Sequence, residues 1–345
     1  MQPVWIEWSD LQRIVRSSGA DAPSAVAGPP SVLVVELDGV SAPGAALDEG
    51  SGKRRVGRAL PRVSGLHALV VGVSRDPELW PESCDVVIGP DGPELDVLLG
   101  AMERHPVAAM TLIELLRCAP GASTSAGLLA ESASYGVLQA GREFATWRRD
   151  HPRRAVHPDP EPVLARRAGD ELQLTLHRPE RRNALDAAMR DALAEQLQLA
   201  LVDRSITRVV IDGDGPDFCS GGDLDEFGTA SDAAVAHLVR LERSLGRLLA
   251  AVADRLTVRL HGACIGSGIE LAAFAGTVEA DPSTSIALPE LAMGLIPGAG
   301  GTVSITRRIG RHRTCWLALS GQRIDAATAL EWGLVDGTRP STDRT

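Results

Sequence analysis

From Leu172 onward the chain alternates between two periodicities, and this alternation restricts the architecture more than any other feature. Leu172-Gln173-Leu174-Thr175-Leu176 alternates apolar and polar residues, the period of a half-buried strand. A helical pattern follows, capped by Asn183 or Asp186 and running to about Leu201. Arg208-Val209-Val210-Ile211-Asp212 reads as the next strand, 233–253 as helix and 256–260 as strand. A helix over 269–275 is opened by a glycine-rich turn. Strand and helix in strict alternation predict an α/β fold with crossover helices.

The first half is less regular. Trp5, Trp8, Leu11, Ile14 and Val15 stand at helical spacing, and a Ser/Ala/Gly/Pro stretch over 17–30 reads as a linker. Strands are predicted over 32–37, 68–73 and 84–88, with a Gly- and Ala-rich stretch carrying Lys53, Arg54 and Arg55 between the first two. Helical pattern covers 95–117, interrupted at His105-Pro106, and then 126–149. Four prolines among charged residues in 151–162 mark an interdomain linker. The predicted division is an N-terminal α/β-plus-helical domain (1–150), a linker (151–162) and a catalytic core (163–345).

Composition excludes several classes of function. A net charge of −10 leaves no electrostatic footprint for nucleic acid or an anionic membrane surface. The five cysteines, Cys84, Cys118, Cys219, Cys264 and Cys315, are scattered and without C-x-x-C spacing. They predict neither a zinc site nor a disulfide framework, but buried thiols in a reducing compartment. No basic, then apolar, leader opens the sequence and no apolar run is long enough to span a bilayer, so a cytoplasmic protein is expected.

Three segments carry chemistry. In Cys219-Ser220-Gly221-Gly222-Asp223-Leu224, adjacent glycines let the backbone approach a ligand and turn an N–H toward it. In Gly262-Ala263-Cys264-Ile265-Gly266-Ser267-Gly268-Ile269-Glu270, a strand leads through a glycine turn into a helix. The unpaired N–H groups of its first turn suit a developing oxyanion or a phosphate. The turn lacks the full G-x-G-x-x-G pattern of a dinucleotide site. Glu270 is equally readable there as a carboxylate favoured by the helix dipole. In Leu288-Pro289-Glu290-Leu291 through Pro297-Gly298-Ala299-Gly300-Gly301-Thr302, Glu290 stands among apolar residues, where a carboxylate is rarely placed without purpose.

Together these segments resemble the enoyl-CoA hydratase/isomerase (crotonase) family. The resemblance spans about residues 166–338. It opens at Arg178-Pro179 with Asn183-Ala184-Leu185 and closes at Glu331-Trp332-Gly333-Leu334-Val335. It implies a ββα superhelix in the second half, an acyl-CoA substrate with coenzyme A as part of it, and no permanently bound cofactor or metal. The resemblance places Gly222 and Ser267 as N–H donors to the thioester oxygen, and Glu270 and Glu290 as the hydratase pair. Glu290 takes the main acid/base role and Glu270 orients water. Coenzyme A is expected along Ala184, Ser220, Gly221, Asp223 and Leu224, with Arg181 and Arg182 as candidates for its phosphates, and the acyl pocket near 224–238, Leu295 and Trp316. A homo-oligomer, trimer or hexamer, is implied as well. Double-bond isomerisation and a non-catalytic scaffold are the alternatives to hydration or dehydration.

The chain departs from the family pattern in three ways. Ser267 replaces a usual glycine, and Arg259 stands where a small apolar residue is usual. The terminal helices expected after Val335 are missing, leaving a tail of 336–345 that reads as disordered. Segments 105–112 and 130–147 resemble those helices. The first half is therefore expected to be a decayed crotonase copy that lends its helices to the second, the alternative being an unrelated accessory domain. Residues 160–345 expressed alone are then expected to be insoluble or inactive. A soluble fragment with full activity, assayed beside the whole chain, overturns this.

Overall fold

The computed structural model describes residues 1–17, 30–39, 46–47, 54–55, 66–76, 79–154, 161–230 and 232–339. Most of the predicted 17–30 linker, the stretch at Lys53, positions 155–160 and the last six residues lie outside these. Two compact units form: Met1–Pro120 with Arg311–Ser320, and Gly121–Gly310 with Gly321–Thr345. No described helix is long and apolar enough to cross a membrane.

The first unit is built on a four-stranded sheet. β1 (Val4–Ile6) and α1 (Trp8–Ser17) are followed by β2 (Ser31–Glu36), and a short ladder joins β3 (Ala46–Leu47) to β4 (Arg54–Arg55). β5 (Ala68–Val73) and β6 (Val86–Ile88) complete the parallel sheet β1-β2-β5-β6. The helical stretch after it divides into α2 (Glu94–Arg104) and α3 (Pro106–Cys118) at the predicted interruption. Pro106 sits at a helix start, where its missing N–H costs nothing. Leu11 and Val15 of α1 join Val35, Leu37, Val70 and Cys84 in one core cluster.

A buried ion pair anchors this core. Arg117 on α3 donates Nε and Nη2 to the two oxygens of Asp85, at 2.9 and 2.6 Å. Its remaining donors reach the carbonyls of Leu66 and Ala68 and the carboxylate of Glu114 at 2.7 Å. Asp85 also accepts the N–H of Val70, and Arg311 lies 3.5 Å from it. Four of the five cysteines are buried; Cys118, at the end of α3, is exposed.

The second unit begins with α4 (Thr124–Gln139), capped by Ser123, and α5 (Arg142–Asp150). Both come from the stretch read as one long helix, which breaks at Ala140-Gly141. β7 (Val163–Ala168) pairs antiparallel with β8 (Glu171–Leu176), whose side chains alternate between buried and half-buried as predicted. Of the two candidate caps for α6 (Ala187–Val202), Asp186 serves, accepting the Met189 N–H. Asn183 instead adopts a left-handed conformation (φ 53°) and bonds the carbonyls of Asp214 and Asp217.

β9 (Arg208–Gly213) follows. The helical stretch 233–253 divides into α7 (Ala233–Glu242) and α8 (Leu245–Ala251), where Ser244 caps the second helix. β10 (Leu256–Leu260), β11 (Ala263–Ile265), α9 (Ser267–Ala272), β12 (Thr277–Ala280) and β13 (Ser285–Ala287) come next. Then come α10 (Gly301–Ser320), β14 (Ile324–Asp325), α11 (Ala326–Trp332) and β15 (Gly337–Thr338). Gly310, with φ 79°, breaks α10 where the chain leaves the second unit. The main sheet runs β15-β12-β10-β9-β8-β7 and the small one β11-β13-β14.

Two expectations are corrected here. Arg259 is half-exposed rather than buried, and pairs across the sheet with Glu279 at 3.3 Å. The start of the tail is ordered: Asp336 exchanges hydrogen bonds with Val278, and Arg339 donates to Ala280, so β15 extends the sheet edge.

Asp85→Ala takes the bidentate partner from the buried Arg117 guanidinium, leaving it only Glu114 as a counter-charge, and is expected to lower stability by about 3–5 kcal/mol. Asp85→Leu combined with Arg117→Met removes both charges and is expected to recover most of that loss. Denaturant titration of the three proteins measures both effects.

Candidate active site

Backbone bonds bring the first two glycine turns side by side. Cys219 donates to Ala263 and Ile265 donates to Cys219, at 3.1 and 2.9 Å, which fixes 219–223 against β11. On the other edge of that segment, Leu185 donates to Gly221 and accepts from Asp223. Gly222, the residue between, lines a pocket together with Ser267. The N–H of Ser267 is among the first of α9, which have no partner within the helix.

The two glutamates sit against glycines. Gly266 has φ 51°, and a Cβ there would stand 2.3 Å from Oε1 of Glu290; no other residue leaves the carboxyl its place. Glu270, in the first turn of α9, reaches the N-terminus of α10. Its Oε2 accepts the N–H groups of Ala299 and Gly301, at 2.7 and 2.9 Å. Glu290 opens a 3-10 turn (Glu290–Met293), and its buried Oε2 has no hydrogen-bond partner among the described residues. Both carboxyls line one pocket of about 280 Å³.

A third carboxyl lies in the same pocket. Glu131 on α4 is 2% exposed. It accepts the Gly300 N–H at 2.7 Å, the Thr302 N–H at 3.0 Å and the Thr302 hydroxyl at 2.6 Å. Ser132, Tyr135 and Gln139 of α4 line the pocket too, and the Tyr135 ring packs on Gly298. Arg240 of α7 lies over that ring, 5.2 Å from its centroid, and bonds the hydroxyl and carbonyl of Ser132. Sequence reasoning missed Glu131. It stands 169 residues before Gly300, in a helix with a weak apolar stripe. The one available signal was a carboxylate near the Leu128 and Leu129 side of a helix.

Burial sets the protonation of this cluster. Glu270 is raised from 4.5 to about 7, burial outweighing the two N–H groups that favour its charge. Glu131 is raised to about 8, first by burial and then by the charge of Glu270. Glu290 is raised well above the carboxylate range by burial and then by Glu270, with a smaller push from Glu131.

The other sequence-predicted residues lie outside the pocket wall, Asp223 excepted. Arg182 pairs with Asp217 at 2.6 Å, and Arg181 with Asp225 at 3.2 Å. Ser220 donates its N–H to Arg182, Gly221 carries the Leu185 bond, and Leu224 is exposed. The Ala184 carbonyl accepts from buried Arg178, which also pairs with Asp186 and Asp223 and so ties 178–186 to 223. Of 224–238, Glu226 and Phe227 line the pocket; Leu295 does not, and Trp316 belongs to the first unit. The helix α4 forms that wall instead. No group of three His, Cys, Asp or Glu among the described residues is arranged to hold a metal ion.

Comparison with known proteins follows the same segments. The family described as Enoyl-CoA hydratase/isomerase matches residues 170–344. The chain is 37% identical over 170 residues to a 2,3-dehydroadipyl-CoA hydratase of Escherichia coli (strain K12), covering 49% of this chain and 66% of that protein. It is 35% identical over 169 residues to a 1,2-epoxyphenylacetyl-CoA isomerase of the same organism, covering 48% and 64%. An enoyl-CoA hydratase crystal structure from Thermoplasma volcanium GSS1 is similar at 31% identity and a TM-score of 0.49, over 52% of this chain and 72% of that one. The chain thus spans just under two thirds of the length of these curated relatives.

The raised carboxyls carry a signed consequence. From pH 4.5 upward the unfolded chain gives up protons that Glu270 keeps until about 7 and Glu131 until about 8. Stability therefore falls as pH rises through that window. Glu270→Gln removes one such group and eases the others. Its melting temperature is expected to fall less than that of the wild type between about pH 5 and about pH 8. Thermal unfolding at the two pH values measures the difference.

Proposed function

The chain belongs to the enoyl-CoA hydratase/isomerase family, and on that premise we propose that it adds water to, or removes it from, an α,β-unsaturated acyl-CoA thioester. The observation that carries this reading is the Glu290 carboxyl, whose buried Oε2 has no partner among the described residues, beside a second buried carboxyl fixed by backbone N–H groups, in one pocket. In the hydration direction, the thioester oxygen takes the N–H groups of Gly222 and Ser267, which stabilise the enolate charge. Glu290, held protonated by burial, gives its proton to the α-carbon. Glu270 as carboxylate orients a water and takes its proton, while the water oxygen bonds the β-carbon. Proton exchange between the two carboxyls restores the start. The coenzyme A portion runs past Ala184, Ser220, Gly221, Asp223 and Leu224. At its phosphates Arg181 and Arg182 share their guanidiniums with the aspartates that hold them. Homo-oligomerisation is part of the proposal, with Val137, Val235 and Leu238 exposed on α4 and α7 as contact surface.

A second reading, double-bond isomerisation, draws on one detail. Glu270 is engaged twice, which leaves Glu290, with its unbonded Oε2, as the freer carboxyl, and a single one suffices to move a proton between two carbons. Hydration of crotonyl-CoA and longer enoyl-CoAs by the whole chain tests both. Glu290→Gln is expected to lower kcat by about 10²–10⁴-fold. Glu270→Gln is expected to abolish hydration; a variant that still isomerises 3-enoyl-CoA at the wild-type rate favours the second reading. Wild type and Glu290→Gln equally inert across these thioesters would sink the proposal.

A further inference from the structure

The turn 298–302 is held from two sides. Its N–H groups alternate: Ala299 and Gly301 point to Glu270, while Gly300 and Thr302 point to Glu131. The Thr302 hydroxyl adds a third bond to Glu131. Two buried carboxyls therefore clamp one turn at the start of α10, and neither can shift without moving the backbone that orients the other. Glu131 commits both of its oxygens to this turn, Oε1 to Gly300 and Oε2 to Thr302.

We propose that Glu131 is a positioning residue of this site: by gripping Gly300 and Thr302 it holds the turn so that Ala299 and Gly301 present the Glu270 carboxyl correctly in the pocket shared with Glu290. This rests on the reading of Glu270 and Glu290 as the water-handling pair. The ionisable groups around Glu131 are Glu270 from α9, Glu290 from the 3-10 turn, Tyr135 from its own helix and Arg240 from α7. Among them Glu131 has a second effect. Above about pH 8, where Glu131 itself ionises, its negative charge opposes ionisation of Glu290 and keeps that carboxyl a proton donor to higher pH. A residue that merely ties α4 to the core would have neither effect on turnover.

The test uses the full chain with Glu131→Gln and Thr302→Val. An amide at 131 cannot accept on both sides, so one N–H of the turn loses its partner. In Glu131→Gln, kcat for enoyl-CoA hydration is expected to fall at least about ten-fold with KM within about two-fold, the pattern of a lost transition-state interaction. The high-pH limb of the kcat profile is expected to move to lower pH, because Glu290 ionises sooner once the neighbouring charge is gone. Thr302→Val keeps the charge and removes one bond. It is expected to lower kcat less and leave that limb in place. A Glu131→Gln protein with a reduced melting temperature but wild-type kcat and pH profile overturns the proposal. If that variant does not fold, wild-type kcat in Thr302→Val overturns it. A wild type inert toward all enoyl-CoA thioesters counts instead against the hydratase reading. The inference is then read by NMR of glutamate labelled with heavy carbon at its carboxyl. A raised carboxyl titrating at lower pH in Glu131→Gln supports it, and titrations unchanged for Glu270 and Glu290 overturn it.

Discussion

Four backbone N–H groups at the start of α10 hold the site together. Each would otherwise be an orphan donor at a helix N-terminus, and each is satisfied by a glutamate instead. The helix end in turn offsets part of the cost of keeping carboxyls out of water. The offset is incomplete, since Glu270 and Glu131 stay raised despite their bonds. That leaves carboxyls that hold protons near neutrality, the condition acid/base chemistry requires. Glu290, which lacks such donors on Oε2, is pushed furthest toward its neutral form. The bonding thus differs between two carboxyls that the sequence presents as a pair.

The close approach of backbone to carboxyl explains the glycines. A side chain at Gly266 would occupy the place of the Glu290 carboxyl, and one at Gly301 would meet Glu270 at 2.6 Å. Arg178 and Asn183 do comparable work one layer out. They tie the 178–186 segment to Asp223 and to the loop at 214–217, which keeps Leu185 bonded on either side of Gly222.

What was legible in the sequence depended on distance along the chain. The alternation of 172–176 and the apolar runs at 208–212 and 256–260 located three adjacent sheet strands, because their burial follows from local pattern. The glycine turns and Glu270 could be read from contiguous motifs. The edge strand β15 and the two-residue strand β14 could not, since their pairing depends on partners far away, and β7 could not because its side chains after Val163 are exposed and leave no apolar alternation, although it pairs with the neighbouring β8. The helix divisions at Gly141 and Ser244 lay hidden in continuous helical periodicity. Glu131 was out of reach for the same reason as β14 and β15: its partners are named only by the fold. The helices 124–150 precede the family segment in the chain yet belong to the compact unit that holds the site.

The break at Gly310 has a consequence for how the chain is made. Residues 311–320 belong to the first unit, where Arg311 approaches Asp85 and His312 bonds the carbonyl of Pro81. During synthesis the parallel sheet of that unit emerges early, but its last helix is translated some two hundred residues later, after the entire pocket. The N-terminal unit therefore stays incomplete until the whole pocket has been translated, and only 321–345, the closing stretch of the second unit, follows it.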